Sequence, residues 1–309
     1  KKAKYLKKLI TCLYYKKRDD ALHWTAEMMC SSYIYDLWKI YIVFYCKYIH
    51  VHNIKIAIYL MKKLDEFKML HKTMNENELK NNDDMRNIFF TLTIIFCETK
   101  NENTLSSIPF VFSLENMYDN LKANHVEYVK PFFKEGDPKE FYIPLNEFVY
   151  HIDKTKDQTS IFYWVDWLIE YDIYLTKKKK PLFIQYRNLV DFKDEKKNKN
   201  IVWILWDIII HYSKSHHDLV KKTIIALFEL FQIKYKVTNN KIFKCLMYVS
   251  IHLLVSSVNT NIKLIENTSL FKNLYNNTQI IFEEIKKKEV WIEEVKTEKQ
   301  KLYDSVYKI

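Results

Sequence analysis

The sequence predicts an all-α protein, a bundle or array of roughly ten or more helices that ends in a long C-terminal helix. Two observations support this class. The 309 residues include a single glycine, Gly136, whereas sheet proteins need many glycines for hairpin turns and bulges. Hydrophobic residues make up 48% of the chain and aromatic residues 16%, which is enough to bury a core despite the many lysines and asparagines.

The first hundred residues are predicted to form about four or five helices. Asp19 and Asp20 are candidate N-caps for the helix that carries Trp24. An apolar run over 37–49 predicts the next helix. Another helix follows Asn53 and has its apolar residues on one face, namely Ile54, Ile58, Met61, Leu64 and Phe67.

A boundary is predicted in the segment 101–145, which holds the glycine and four of the five prolines. The formal charge also changes sign along the chain, from +8 over residues 1–80 to −5 over 81–160 and +8 over 161–309. We therefore expect an N-terminal helical subdomain (1–100), an acidic connector (101–145) and a C-terminal helical subdomain (146–309). The three can also form one continuous domain.

Two central helices, predicted over 159–175 and 200–213, are apolar on nearly every side and carry one narrow polar stripe each. The stripe residues are Thr159, Asp166, Glu170 and Lys177 in the first helix and Asn200, Asp207, His211 and Lys214 in the second. We expect both helices to be buried with one edge in water. The pair Asp166 and Glu170 is then a solvated edge rather than a pair of catalytic carboxylates.

Each central helix also contains a Trp-x-x-Trp pair, Trp164 with Trp167 and Trp203 with Trp206. Indole rings bury a large apolar area and need one hydrogen bond, so we expect core packing, with an aromatic recognition groove as the alternative. Further helices are predicted over 218–236 and 241–258.

The last helix is predicted to begin near Asn277 and to carry an apolar heptad seam. Seven of nine seam positions from 281 to 309 are apolar. Such a seam packs either on its own domain or on another protein. The candidate partner-binding residues are Ile285, Ile292, Val295, Leu302 and Val306.

Several classes of active site are excluded by the sequence. One glycine cannot supply a Walker loop, a dinucleotide-binding turn or a nucleophile elbow. The His-Glu-x-x-His and Glu-x-x-His metal motifs of helical enzymes do not occur. Asp207 and His211 could form an acid–base pair, but no nucleophile can be placed beside them. We expect a non-enzymatic protein with no catalytic residue and no cofactor.

The five cysteines are widely spaced and include no Cys-x-x-Cys pair, which indicates reduced thiols inside a cell. Cys46 and His50 lie one helical turn apart and form, with His52, the best candidate metal site. We expect no metal there, because a fourth ligand at a defined spacing is missing. No apolar run approaches the ~20 residues that span a bilayer, so we expect no membrane association.

The net charge of +11 would normally indicate an anionic partner. Only three of the 49 basic residues are arginine, the residue preferred for bidentate contacts to phosphate and guanine. The candidate nucleic-acid contacts are therefore lysines: Lys177, Lys178, Lys179, Lys180, Lys196, Lys197 and Lys199. The alternative is a solvated lysine-rich loop.

Several parts of the sequence carry a family resemblance: RDDALHWTAEM at 18–28, LW at 37–38, YIHVHN at 48–53, IYL at 58–60, and YWVDW at 163–167 together with WILWD at 203–207. They resemble an uncharacterised helical protein family of nucleocytoplasmic large DNA viruses. That family has a Gly-Asn-Pro turn where this chain has His52, Asn53 and Ile54. The resemblance implies a viral protein of the host cytoplasm, the viral factory or the virion.

The sequence thus predicts an intracellular α-helical scaffold or interaction protein that takes part in viral assembly. It would bind other proteins through its acidic middle or its seam helix. The alternative is a basic accessory factor that binds DNA or RNA in viral replication or transcription through its lysines.

Overall fold

The computed structural model describes residues 2–102, 105, 110–234 and 240–307. The side chains of residues 76, 234, 240–243, 288–294, 296 and 299–307 lie outside this description. Over the described ranges the chain has helices and turns but no strand, so the predicted all-α class is confirmed. No helix in these ranges combines the length and the apolar character needed to cross a bilayer.

Long segments separate consecutive α-helices at three places, between residues 98 and 142, between 177 and 195, and between 255 and 268. In chain order they are α1 (Lys2–Tyr14), α2 (Arg18–Cys30), α3 (Ile34–Phe44), α4 (Lys55–Thr73), α5 (Glu76–Asn81), α6 (Asp83–Glu98), α7 (Tyr142–Tyr150), α8 (Gln158–Lys177), α9 (Glu195–Asn198), α10 (Val202–Ser213), α11 (Asp218–Lys234), α12 (Asn240–Val255) and α13 (Thr268–Tyr307). Shorter π or 3-10 turns are Tyr45–Ile49, His50–Asn53, Glu115–Asn120, Lys139–Phe141 and His151–Thr155.

The chain forms two compact units, each made of segments that are distant in sequence. The first unit comprises Lys1–Tyr45, Lys62–Asn101 and Lys263–Ile309, and the second comprises Cys46–Met61 and Glu102–Ile262. The segment predicted as a connector therefore lies almost wholly in the second unit, and α13 lies in the first. Proline content and charge mark where helices stop, but they do not show which distant helix a segment packs against.

In the first unit, α2 packs against α1, α6 and α13. A buried hydroxyl network joins three helices: Thr93 Oγ1 lies 2.9 Å from Thr25 Oγ1 and 2.8 Å from the Tyr41 hydroxyl. Every one of these buried hydroxyls thus has a partner, as buried polar groups require.

The predicted caps of α2 are wrong. The helix begins at Arg18, and its N-cap residue is Lys17, which makes no side-chain cap hydrogen bond. Asp19 and Asp20 lie instead in the first turn, where the helix dipole favours a carboxylate.

Each of the three arginines is held within one unit by a carboxylate. The pairs are Arg18 with Glu98, Arg86 with Asp83, and Arg187 with Asp137. The guanidinium of Arg86 also covers the ring of Phe282 on α13, with its central carbon 4.3 Å from the ring centroid. The arginines therefore stabilise the fold, and lysines supply the positive charge of the surface.

In the second unit, α8 packs against α7 and α12, and α10 packs against α11 and α12. The paired tryptophans are in this core, as predicted: Trp164, Trp167, Trp203 and Trp206 are each at most 2% exposed. No recognition groove is formed by these four rings.

The prediction of a solvated edge on α8 is wrong for Asp166, which is buried. Its Oδ1 accepts hydrogen bonds from the Lys244 ammonium at 2.6 Å and from the Tyr248 hydroxyl, both on α12. The polar stripe of α8 thus faces another helix at this position. On α10 the prediction is confirmed for His211 and Lys214, which are exposed, whereas Asn200 and Asp207 are not.

Candidate functional site

A group of exposed apolar side chains distinguishes the segment between α6 and α7. It consists of Val111, Leu114, Tyr118, Leu121 and Val126. Val111 is 82% exposed and Tyr118 is 70% exposed, values far above those of the core. Exposed carboxylates are interspersed at Glu115, Asp119 and Glu127. We call this set the apolar-acidic strip.

Other residues of the same segment fix the strip to α8. The ring of Phe112 packs 5.7 Å from that of Trp167, and the Trp167 indole N–H donates to the carbonyl oxygen of Ser113 at 3.2 Å. The Tyr163 hydroxyl donates to the carbonyl oxygen of Asn116 at 3.3 Å. The strip therefore presents its apolar side chains from an anchored backbone.

Two buried side chains of α7 hold the far end of the strip. The Glu147 carboxylate accepts from the backbone N–H groups of Lys122 and Ala123 at 2.9 and 3.0 Å. The Asn146 amide donates to the carbonyl oxygen of His125 at 2.7 Å and accepts from the N–H of Val129 at 3.2 Å. The backbone groups of an irregular segment have no helix or sheet partners. Here the side chains of Glu147 and Asn146 on α7 bind them instead.

The sequence did not identify this strip, although it identified the acidic character of the region. Its apolar residues follow neither a helical nor a strand period. The sequence signal that could have identified the strip is a glycine-free segment whose apolar residues follow no helical or strand period.

One pocket of the second unit has candidate lysines in its lining and others beside it in sequence. Lys177 ends α8, and Lys178 to Lys180 form the exposed turn that follows. Lys196 and Lys197 belong to α9, and the carbonyl oxygen of Lys199 accepts from the N–H of Ile184 at 2.9 Å.

The pocket has a volume of about 290 Å³. It is lined by Asp172, Thr176, Pro181, Leu182, Phe183, Asp194, Lys196, Lys197 and Asn200. Lys196 and Lys197 line the pocket, and the lysine turn connects two further lining residues, Thr176 and Pro181, along the chain. We call this the lysine-bordered pocket.

Asp172 is the buried carboxylate of this pocket, 7% exposed. Its Oδ2 accepts from the side-chain amide of Asn200 at 3.0 Å. Burial raises the pKa of Asp172 to about 6, and the hydrogen bond from Asn200 lowers it only in part. Desolvation is therefore the larger effect on this carboxyl group.

A buried ion pair joins the segment that follows the apolar-acidic strip to the segment that contributes Phe183 to the pocket. The guanidinium of Arg187 pairs with Asp137 and donates to the carbonyl oxygen of Phe132 at 2.6 Å. The Asp137 carboxylate also accepts from the N–H groups of Gln185 and Lys134, each at 2.7 Å. This pair therefore ties the segment that follows the strip to the segment that follows Phe183.

The candidate metal ligands do not form a metal site in the described part of the chain. Cys46, His50 and His52 belong to no group of three ligand side chains that could hold an ion. His52 Nε2 lies 3.0 Å from Glu102 Oε2, and the pKa of the Cys46 thiol is raised well above its usual value by burial and by Cys245. A thiol that resists ionisation is a poor ligand, since the thiolate is the form that binds metals.

The acid–base pair considered for α10 is not enclosed. His211 is exposed and packs edge-on against Phe132, with ring centroids 4.9 Å apart. Asp207 is half-buried, which raises its pKa. Both side chains thus belong to the surface of α10.

The seam of α13 is only partly described. Ile285 is 4% exposed and belongs to the core of the first unit, so it is not available to a partner, contrary to its prediction. Val295 is half-buried. The side chains of Ile292, Leu302 and Val306 lie outside the described residues. The helix itself begins at Thr268, about two and a half turns before the predicted Asn277.

A further groove lies in the first unit, between α4, α6 and the start of α13. It has a volume of about 640 Å³, and its walls include Met69, Leu70, Ile88 and Phe271. Lys63 and Glu66 at its edge pair with each other at 2.7 Å. These two charges thus offset each other, and Asp84 adds an exposed carboxylate to the same lining.

Comparison of the chain with protein-family models, with curated proteins and with solved structures found no match.

Proposed function

We propose that the chain is a protein-interaction module whose apolar-acidic strip binds a basic, amphipathic segment of another protein. The observation that supports this most is the set of five exposed large apolar side chains within residues 111–126. A contiguous exposed apolar group with a polar rim marks a protein-binding surface more often than chance exposure does. Tyr118 supplies the kind of aromatic anchor that dominates binding energies.

The anchoring of the strip supports the same function. Binding costs free energy when a loop must first be ordered, and a backbone already held by Trp167, Tyr163 and Glu147 avoids much of that cost. The strip can therefore bind with little rearrangement.

The charge of the strip defines the chemistry of the partner. Glu115, Asp119 and Glu127 alternate with the apolar residues along the chain and outnumber the one exposed lysine of residues 111–127, Lys122. A segment with lysine or arginine beside its own apolar face is therefore complementary. A role in the assembly of a large DNA virus would follow from the family resemblance alone, and the strip is the surface that such a role would use.

A peptide titration tests the proposal. We would measure fluorescence anisotropy of a labelled amphipathic helical peptide of leucine and lysine, with a leucine and glutamate peptide for comparison. The basic peptide should bind, and the double variant Leu114→Ser/Tyr118→Ser should weaken its binding by about 30-fold or more.

The matched control is Tyr15→Ser/Met69→Ser, which removes two exposed apolar side chains of the first unit. It should leave binding unchanged. Equal loss in both double variants, or equal binding of the acidic peptide, would show that the strip is not a specific surface.

A further inference from the structure

The lysine-bordered pocket has three kinds of lining. Pro181, Leu182 and Phe183 form an apolar wall, Asp172, Thr176 and Asn200 are polar, and lysines border the opening. Ligand pockets usually combine an apolar wall with a few placed polar groups, and their volumes begin near ~300 Å³. A volume of about 290 Å³ thus suits one small ring system.

The lysines point to a ligand that carries phosphate groups. Lys196 is exposed in the lining of the pocket, and Lys178, Lys179 and Lys180 are exposed in the turn between the lining residues Thr176 and Pro181. Asp194 offsets this charge only in part, since it lies 4.0 Å from the Lys197 ammonium. These lysines can therefore contact the phosphates that flank a base in the pocket.

Phe183 provides an exposed aromatic face in the same place. It is 40% exposed, whereas the paired tryptophans of the second unit are buried. Single-stranded nucleic acids bind where bases stack on exposed aromatic rings that are flanked by positive charge. Phe183 beside the lysine turn meets both conditions, which the tryptophans do not.

Asp172 argues against a simple anion site. A buried carboxylate repels phosphate, so a phosphate group would not enter the pocket beside it. A carboxylate does accept hydrogen bonds from the exocyclic amino groups of bases, as in contacts to the N4 amino group of cytosine. Asp172 Oδ2 already accepts from Asn200, and Oδ1 can accept from such an amino group.

We propose that the lysine-bordered pocket binds one amino-bearing base of a single-stranded nucleic acid. The base stacks on Phe183, its amino group donates to Asp172, and the flanking phosphates contact the lysines. Duplex nucleic acid does not fit this arrangement, because its bases are stacked on each other and paired.

Anisotropy titrations with labelled oligo(dC), oligo(dA) and oligo(dT) at several salt concentrations test the proposal. Oligo(dC) and oligo(dA) should bind more tightly than oligo(dT), whose base has no exocyclic amino group. An unlabelled duplex should compete poorly. Equal binding of the three oligonucleotides, or full competition by duplex, would overturn the proposal.

Phe183→Ala should weaken oligo(dC) binding about tenfold through loss of stacking. Tyr15→Ala, which removes an exposed aromatic ring of the first unit, is the matched control and should have no effect. If both variants bind oligo(dC) like the unchanged protein, the base does not stack on Phe183 and the proposal fails.

Asp172→Leu separates base recognition from charge attraction. The variant should lose the preference for oligo(dC) over oligo(dT), because leucine has no acceptor oxygen for the amino group, while its affinity for oligo(dT) should not fall. A site that attracts phosphate alone would instead bind every oligonucleotide more tightly and keep the same ratio. Circular dichroism of each variant confirms that it is folded.

Lys196→Ala/Lys197→Ala should reduce the salt dependence of oligo(dC) binding by about 0.7 in logarithmic slope for each lost phosphate contact. The control Lys7→Ala/Lys8→Ala removes the same charge from exposed positions on α1. Equal reductions in the two double variants would mean diffuse attraction and would contradict a local site.

Discussion

Glu147 and Asp172 are both buried carboxylates of the second unit, one beneath the apolar-acidic strip and one in the lysine-bordered pocket, yet their environments differ. Glu147 accepts from two backbone N–H groups. Asp172 accepts from one neutral amide, and burial raises its pKa to about 6. The first carboxylate stabilises the segment that it binds, whereas the second costs stability when it is ionised. Whether a buried carboxylate stabilises or destabilises the fold therefore depends on its hydrogen-bond and charge partners, and not on burial alone.

Asp137 is the third buried carboxylate and has the strongest partner, because it pairs with the buried guanidinium of Arg187. Arg187→Met would leave Asp137 buried without its opposite charge. We expect a loss of about 3–5 kcal/mol in the free energy of unfolding, measured by urea denaturation. This is the largest effect among the variants considered for the three acids.

The double variant Asp137→Asn/Arg187→Met should recover much of that stability, since it removes both charges. If it is as unstable as the single variant, the loss comes from the hydrogen bond to Phe132 and from packing. The unpaired charge of Asp137 would then not be the cause of the lost stability, and only Glu147 and Asp172 would support the comparison.

Asp172→Asn should change stability in the opposite direction. The folded pKa lies above the unfolded one, so the contribution of Asp172 is fully present below pH 3.8 and is lost as the pH rises through about 6. Asparagine carries no charge and can still accept from Asn200. At pH 8 the variant should be more stable than the unchanged protein by up to about 3 kcal/mol.

At pH 5 the gain in the free energy of unfolding of Asp172→Asn should be about half of that at pH 8. The unchanged protein is then largely protonated at Asp172. Urea denaturation at the two pH values measures this difference. A variant that is less stable at pH 8 would show that the ionised carboxylate has a favourable partner in the pocket.

Glu147→Gln tests the other side of the comparison. Glutamine has one acceptor oxygen, so the N–H group of Lys122 or Ala123 would face an amide donor. We expect a loss of about 2 kcal/mol, together with weaker binding of the basic peptide to the strip. Glu140→Gln, at an exposed position, is the matched control. Equal stability of both variants would remove the distinction between Glu147 and an ordinary surface acid.

The helices and the buried tryptophans could be predicted because periodicity and residue type act locally. Asp166 could not, because the polar stripe of one helix does not show that Lys244 and Tyr248 of another helix face it. The lysines of the pocket were visible as charge runs. Phe183 and Asp172 lie within five residues of the run Lys177–Lys180, but only the fold shows that Asp172 is buried and that both side chains line the same pocket.

The single glycine offers the smallest and most local test, since Gly136 forms the turn before Asp137. Its φ of +89° is unfavourable for other residues, and an added Cβ would lie 2.7 Å from Gln185 Nε2. Gly136→Ala should cost about 1 kcal/mol, because the flexible amide of Gln185 can move but the backbone cannot. Adding Gln185→Ala, measured by the same urea denaturation, removes the steric contact and should restore little stability. Full recovery would mean that crowding rather than backbone conformation requires glycine, and that Asp137 is positioned by Arg187 without help from the turn.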